Sequence, residues 1–149
     1  MLIKTHIAIA IFFIILLFGY VDNPLLFPII TLLATLIPDI DTTFSSVGKY
    51  KIFRFLQIFT KHRGFIHSFT LCIVLSVLFM FFVPVIAFPF FLGYALHLFL
   101  DSFTKEGITP FWPYSRKAEW RIRTGGRFEE LIFFLFIALD IIVLILKFR

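Results

Sequence analysis

His6 opens the first apolar segment of this chain, and Asp39 and Asp41 close the second in the run Ile37-Pro38-Asp39-Ile40-Asp41. His62 and His67 open the third, His97 and Asp101 close the fourth, and Glu129 opens the fifth. Scarce imidazoles and carboxylates that mark alternating ends of successive segments all fall on one side of the layer those segments cross. Imidazole nitrogen mixed with carboxylate oxygen is a donor set suited to Zn²⁺, Mn²⁺ or Fe²⁺, whereas Ca²⁺ and Mg²⁺ favour all-oxygen shells. The candidate metal ligands are His6, Asp39, Asp41, His62, His67, His97, Asp101 and Glu129. They exceed the four ligands of one structural zinc and suffice for one or two ions. Paired ions ~3.5–4 Å apart commonly clamp a phosphoester displacement.

Each motif has a mechanical reason. His97 and Asp101 are four residues apart, so on a helix they share one face and converge on one ion. Pro38 ends its helix, and an extended Asp39-Ile40-Asp41 turn would send both carboxylates to one side. Arg63 stands between two candidate ligands, where its planar fork would grip the non-bridging oxygens of a phosphoryl group; Lys61 and Arg123 are weaker candidates. Asp41 or Glu129 is a surplus carboxylate for general-base work. Ser68 and Thr104 read as donors to the ligands, because no base is dedicated to either.

The elements that must position these groups are membrane helices. Of 149 residues, 60% are hydrophobic and only 15% charged, with 24 Phe. A soluble domain carries nearer a quarter charged residues, and the mean hydropathy of +1.02 favours an integral membrane protein. Residues 1–149 read as one all-α, membrane-embedded domain. The apolar runs are Ile7–Val21, Pro24–Pro38, Gly64–Leu100 and Leu131–Leu146. Pro84 divides the third into Gly64–Val83 and Val85–Leu100, which makes five helices in a bundle. A crossing needs about 20 residues, and the second run would span only about 21 Å. It is therefore a short tilted element or one that enters and leaves the same leaflet. The first run is retained as a helix, since no small-residue cleavage site follows it. Cys72, the only cysteine, offers no disulfide and no thiolate cluster.

Charge orients the bundle. Following five crossings from the N-terminus puts residues 39–63 and 101–128 on the starting side. That side holds 12 of the 14 Lys and Arg, leaving Lys147 and Arg149 on the other. The positive-inside rule then assigns the ligand-bearing side to the cytoplasm of a cell inner membrane. The excess of basic residues there suits anionic lipid head groups. Nucleic acid is not an expected partner, because no helix-turn-helix, RNA-binding signature or basic-aromatic repeat accompanies the charge. Asp140 falls about 16 Å along the last helix from Glu129, near mid-bilayer, with no partner evident in the sequence.

Thr5-His6, Leu36 through Asp41, His62-Arg63-Gly64-Phe65-Ile66-His67-Ser68, and Gly93 through Asp101 with Thr104 and Gly107 keep a definite order. With Trp120-Arg121-Ile122-Arg123 and Gly125 ahead of Glu129, they resemble the YdjM family over nearly the whole chain. Ile66 stands where that family is expected to have Thr. The resemblance implies LexA-binding, inner-membrane-associated proteins described as metal-dependent hydrolases. A more distant similarity, carried by the helical His-x-x-x-Asp pair, is to zinc-dependent phospholipase C and P1-type nucleases, and it implies phosphoester bonds. The expected function is thus metal-dependent hydrolysis of a phosphoester in a lipid or lipid-linked substrate. A divalent-cation transporter and a non-catalytic scaffold with structural metal are the alternatives. The transporter fits less well, since such sites lie near the midplane, often between repeated halves.

Overall fold

The structure, a computed structural model, describes residues 1–41, 64–147 and 149, with Asp41 as backbone only. His62, Arg63, Lys61 and the Asp41 side chain lie outside the described residues. Five α-helices follow in order: α1 (Ile3–Leu17), α2 (Leu26–Leu36), α3 (Phe69–Phe82), α4 (Pro84–Ser102) and α5 (Arg127–Lys147). Among the described residues there is no strand, only isolated bridges joining Thr104 to Ile122 and Ile108 to Ala118.

Local chemistry sets the ends of these helices. Pro84 occupies the first turn of α4, where its missing N–H is not needed, and Val83 separates α3 from α4. The division of the long apolar run at Pro84 therefore stands. Pro28 falls in the first turn of α2 and is tolerated there for the same reason. Ser68 caps α3: extended itself, it accepts from Leu71 N–H at 3.2 Å. His67 is thereby held one residue outside the helix. Glu129 and Glu130 sit in the first turn of α5, where the helix dipole favours carboxylates.

Two boundaries differ from the sequence reading in ways that matter for the site. α1 begins at Ile3, not Ile7, so His6 is carried on the helix rather than flanking it. The Asp39-Ile40-Asp41 segment is not extended but forms a 3-10 helix over Pro38–Asp41. Ile40 N–H donates to Ile37 O at 3.1 Å, and Pro38, with its φ already helical, lets the chain go on turning. The turn carries Asp39 to the site.

α4 is the centre of the bundle and packs against α2, α3 and α1, while α5 lies along α1. Ala34, Cys72, Phe90, Tyr94, Leu98 and Ile108 form the buried apolar cluster. α2 approaches α4 closely at Gly93, where a Cβ would stand 2.1 Å from the Thr31 carbonyl oxygen. Only glycine lets α2 come this near α4. Among the described helices, α4 is long and apolar enough to cross a membrane by length and composition. α1, α2 and α3 are shorter, and the 21 residues of α5 include Arg127, Glu129, Glu130, Asp140 and Lys147.

Candidate metal centre

Five side chains from four elements meet at one end of the bundle. α1 supplies His6, the 3-10 helix after α2 supplies Asp39, the residue before the α3 cap is His67, and α4 supplies His97 and Asp101. Two sets of three have ligand atoms within 4.8 Å of one another: His6, His97 and Asp101, and Asp39, His67 and His97. His97 belongs to both. His6, His67, His97 and Asp101 are each at most 1% exposed.

The distances suit donors that share an ion better than groups bonded to each other. His6 Nε2 lies 3.3 Å from Asp101 Oδ1, and His67 Nε2 lies 3.9 Å from Asp101 Oδ2. His97 Nε2 is 3.8 Å from both Asp39 Oδ1 and Asp101 Oδ2. Two ligands at Zn–N and Zn–O distances on a tetrahedral ion stand ~3.3 Å apart, close to these separations. The His6 and His97 rings stack with centroids 4.0 Å apart, and His67 meets His97 edge-on at 5.5 Å.

His97 shows which nitrogen is available. Its Nδ1 is 2.8 Å from the Thr35 carbonyl oxygen. A carbonyl only accepts, so Nδ1 carries the hydrogen and Nε2 presents its lone pair to the cluster. Among the described residues, that buried Nε2 has no hydrogen-bond partner, nor have the ring nitrogens of His6. Buried polar atoms without partners are costly, and a cation among them removes the cost. With neutral imidazoles the two carboxylates carry −2, reduced to −1 by the Met1 ammonium beside Asp101, and this negative charge favours a divalent cation. The residues present therefore fit a divalent transition metal. Burial pushes the Asp39 carboxyl above the usual carboxylate range, opposed by His6 and His67. The Met1 ammonium also contacts Asp101 Oδ1.

The surrounding contacts were not visible in the sequence. Thr35 Oγ1 donates to Thr31 O at 2.8 Å and lies 3.4 Å from Gly93 O, at the same close approach that delivers the Thr35 carbonyl to His97. Tyr94 O–H donates to Ile66 O at 2.6 Å and ties the residue before His67 to α4. Phe69 N–H donates to Pro110 O at 2.7 Å. Ser68 and Thr104 do not address the ligand side chains in their described bonds. Ser68 caps α3, and Thr104 O–H donates to Asp101 O at 2.7 Å and accepts from Gly107 N–H at 3.2 Å.

Glu129 is placed apart from both triads. One carboxylate oxygen accepts from Leu2 N–H at 2.5 Å and Thr5 O–H at 3.0 Å. The other accepts from Gly125 N–H at 2.7 Å. The carboxylate thus ties the start of α1 to the turn before α5 and sets the height of His6. Asp140 is buried on α5, and its Oδ1 has no hydrogen-bond partner among the described residues.

A helical bundle that closes a buried imidazole–carboxylate cluster at one end defines the class. The particular family follows from comparison: the model of the YdjM inner membrane protein family matches residues 1–147. The chain belongs to that family and is a membrane protein. No curated protein and no solved structure matches it.

Proposed function

We propose that residues 1–149 form one membrane-embedded, metal-dependent hydrolase domain acting on a phosphoester of a lipid or lipid-linked substrate at the cytoplasmic face. The observation that carries this reading is His97 Nε2, buried, oriented by Thr35, and shared by two ligand triads. A neutral imidazole nitrogen has one lone pair for one ion, so the two triads describe a single centre of up to five donors. A second ion would draw on ligands beyond these, and Asp41, His62 and Glu129 are the remaining candidates. Zinc suits the donor set, with Mn²⁺ and Fe²⁺ as alternatives.

A divalent ion, when bound, would supply the Lewis acidity that activates water for hydrolysis near neutral pH. The chain's own groups do the rest. His6, His67 and His97 would supply nitrogen ligands, Asp39 and Asp101 would supply charged oxygen ligands, and the Thr35 carbonyl holds the His97 tautomer. Arg63 is assigned to the phosphoryl oxygens on its sequence position between His62 and His67. Asp41 is retained as the candidate base. Glu129 is the weaker candidate for that role, because its oxygens already accept three donors.

Membrane embedding of all five helices is part of the proposal. It is supported by apolar side chains on the outer faces of α3 and α5, such as Val74, Phe81, Phe134 and Ile145, which are half or more exposed. Such faces require lipid or a partner to cover them. The test is turnover of a phosphodiester library by metal-loaded protein, lost in His97→Ala with the helical fold retained. Metal-loaded protein that cleaves no phosphorylated lipid or model diester would instead be a scaffold with structural metal.

A further inference from the structure

Between the end of α4 and the start of α5, the chain folds back on itself around a cavity of about 800 Å³. Its walls are fixed by backbone pairing. Lys105 N–H donates to Ile122 O at 2.9 Å, Trp120 N–H to Thr104 O at 3.0 Å and Ile122 N–H to Phe103 O at 3.2 Å. Gly125, at φ 73°, turns the chain into α5, and its N–H is held by Glu129. Four cationic side chains line the space, Lys105, Arg121, Arg123 and Arg127, with Trp120 and Phe128 beside them. The two aromatic residues are 65% and 61% exposed. None of the four cations forms an ion pair among the described residues, although Lys117 nearby in sequence pairs with Glu119 at 2.8 Å.

We infer that this cavity binds the phosphate of an anionic lipid headgroup. Four like charges held around one space repel each other unless an anion joins them, and three are guanidinium groups, which match phosphate oxygens two at a time. The volume lies within the range of small-ligand sites. Its position selects a lipid over a soluble phosphate. The cavity lies where α4 leaves and α5 enters the apolar part of the bundle, and an exposed Trp is a side chain of the membrane interface. Nucleic acid fits less well, since the four cations gather around one pocket instead of running along a groove. The inference rests on the membrane placement proposed above but not on hydrolysis. Glu129 connects the two sites: the carboxylate that holds Gly125 at the cavity also holds Leu2 and Thr5 beside His6.

The full chain in neutral-lipid nanodiscs, titrated with phosphatidylglycerol or phosphatidylcholine and read by native mass spectrometry, tests this. Phosphatidylglycerol should be retained over phosphatidylcholine, and Arg121→Gln/Arg123→Gln/Arg127→Gln should weaken that retention by about tenfold or more with metal content unchanged. Should the triple variant fail to load metal, Arg123→Lys takes its place. It keeps the charge but loses the two-pronged contact, and must still weaken retention. Equal retention of both lipids, or a preference unaffected by these changes, overturns the inference. So does inorganic phosphate or a short oligonucleotide binding as tightly as the lipid. A preference that depends on the arginines in a protein without turnover would leave this inference standing and remove the hydrolase.

Discussion

His97 Nδ1 and the Thr35 carbonyl oxygen, 2.8 Å apart, join the histidine shared by both ligand triads to the backbone of a different helix. The contact sets the tautomer, the ring plane and the direction of the Nε2 lone pair. It exists because Gly93 lets α2 approach α4 to a distance that no Cβ would permit.

Gly93→Ala should therefore act on the metal site without touching a ligand. The new methyl group must push Thr31 away, at a cost of about 1–3 kcal/mol in stability. Losing the Thr35 contact should lower metal affinity about 10–100-fold. Thermal unfolding and a competitive chelator titration read the two effects. Unchanged affinity in a folded Gly93→Ala protein would show that Thr35 does not orient His97.

Tyr94→Phe removes the hydroxyl that donates to Ile66 O. Leaving a buried carbonyl short of a donor costs about 1–3 kcal/mol, and the loss falls on the residue that precedes His67. Weaker metal binding with all five ligands intact is the expected result. A change in stability alone would mean that the cap at Ser68 suffices to hold His67.

Glu129→Gln separates a structural tie from a ligand. The amide group cannot accept on both sides, so either Gly125 N–H or the Leu2 and Thr5 donors lose their partner. The protein should be destabilised while metal content per folded chain is kept. Loss of metal from a stable Glu129→Gln protein would return Glu129 to the ligand set.

Much of this arrangement was legible in the sequence, and the illegible part has a physical pattern. His97 and Asp101 could be paired because four residues on a helix is a fixed geometry, and Pro84 marked the α3–α4 boundary because proline belongs in a first turn. Asp39-Ile40-Asp41 reads as extended in the sequence but turns as a 3-10 helix, since Pro38 closes one helix and also suits the turn that follows. The Thr35 carbonyl carried no sequence signal, because a backbone oxygen looks the same at every residue. Gly93 belongs to a recognisable motif, but its role lies in the distance between two helices. Glu129 was located correctly at the start of α5, while its bonds to Leu2 and Thr5 cross more than 120 residues.

Acidification should release the metal. Ligation requires ionised carboxylates and neutral imidazoles, so protons compete at every ligand. Burial raises the Asp39 carboxyl above its usual 3.8, which moves its competition towards neutral pH. Metal affinity should fall as pH drops from 7 to about 5. A fluorescent chelator competition across that range checks this, and affinity independent of pH would contradict the imidazole–carboxylate assignment.

Turnover tied to the shared histidine is the most direct measurement. Wild-type and His97→Ala protein, reconstituted in nanodiscs and loaded with zinc or manganese, would be assayed on a phosphodiester and on phosphorylated lipids, with metal content and helicity measured on the same samples. The account predicts hydrolysis by the wild type that is removed by chelator and restored by metal. It also predicts a folded His97→Ala protein that has lost metal and activity together. A metal-loaded wild type that cleaves none of these substrates, or a His97→Ala protein that cleaves them as well as the wild type, would contradict it.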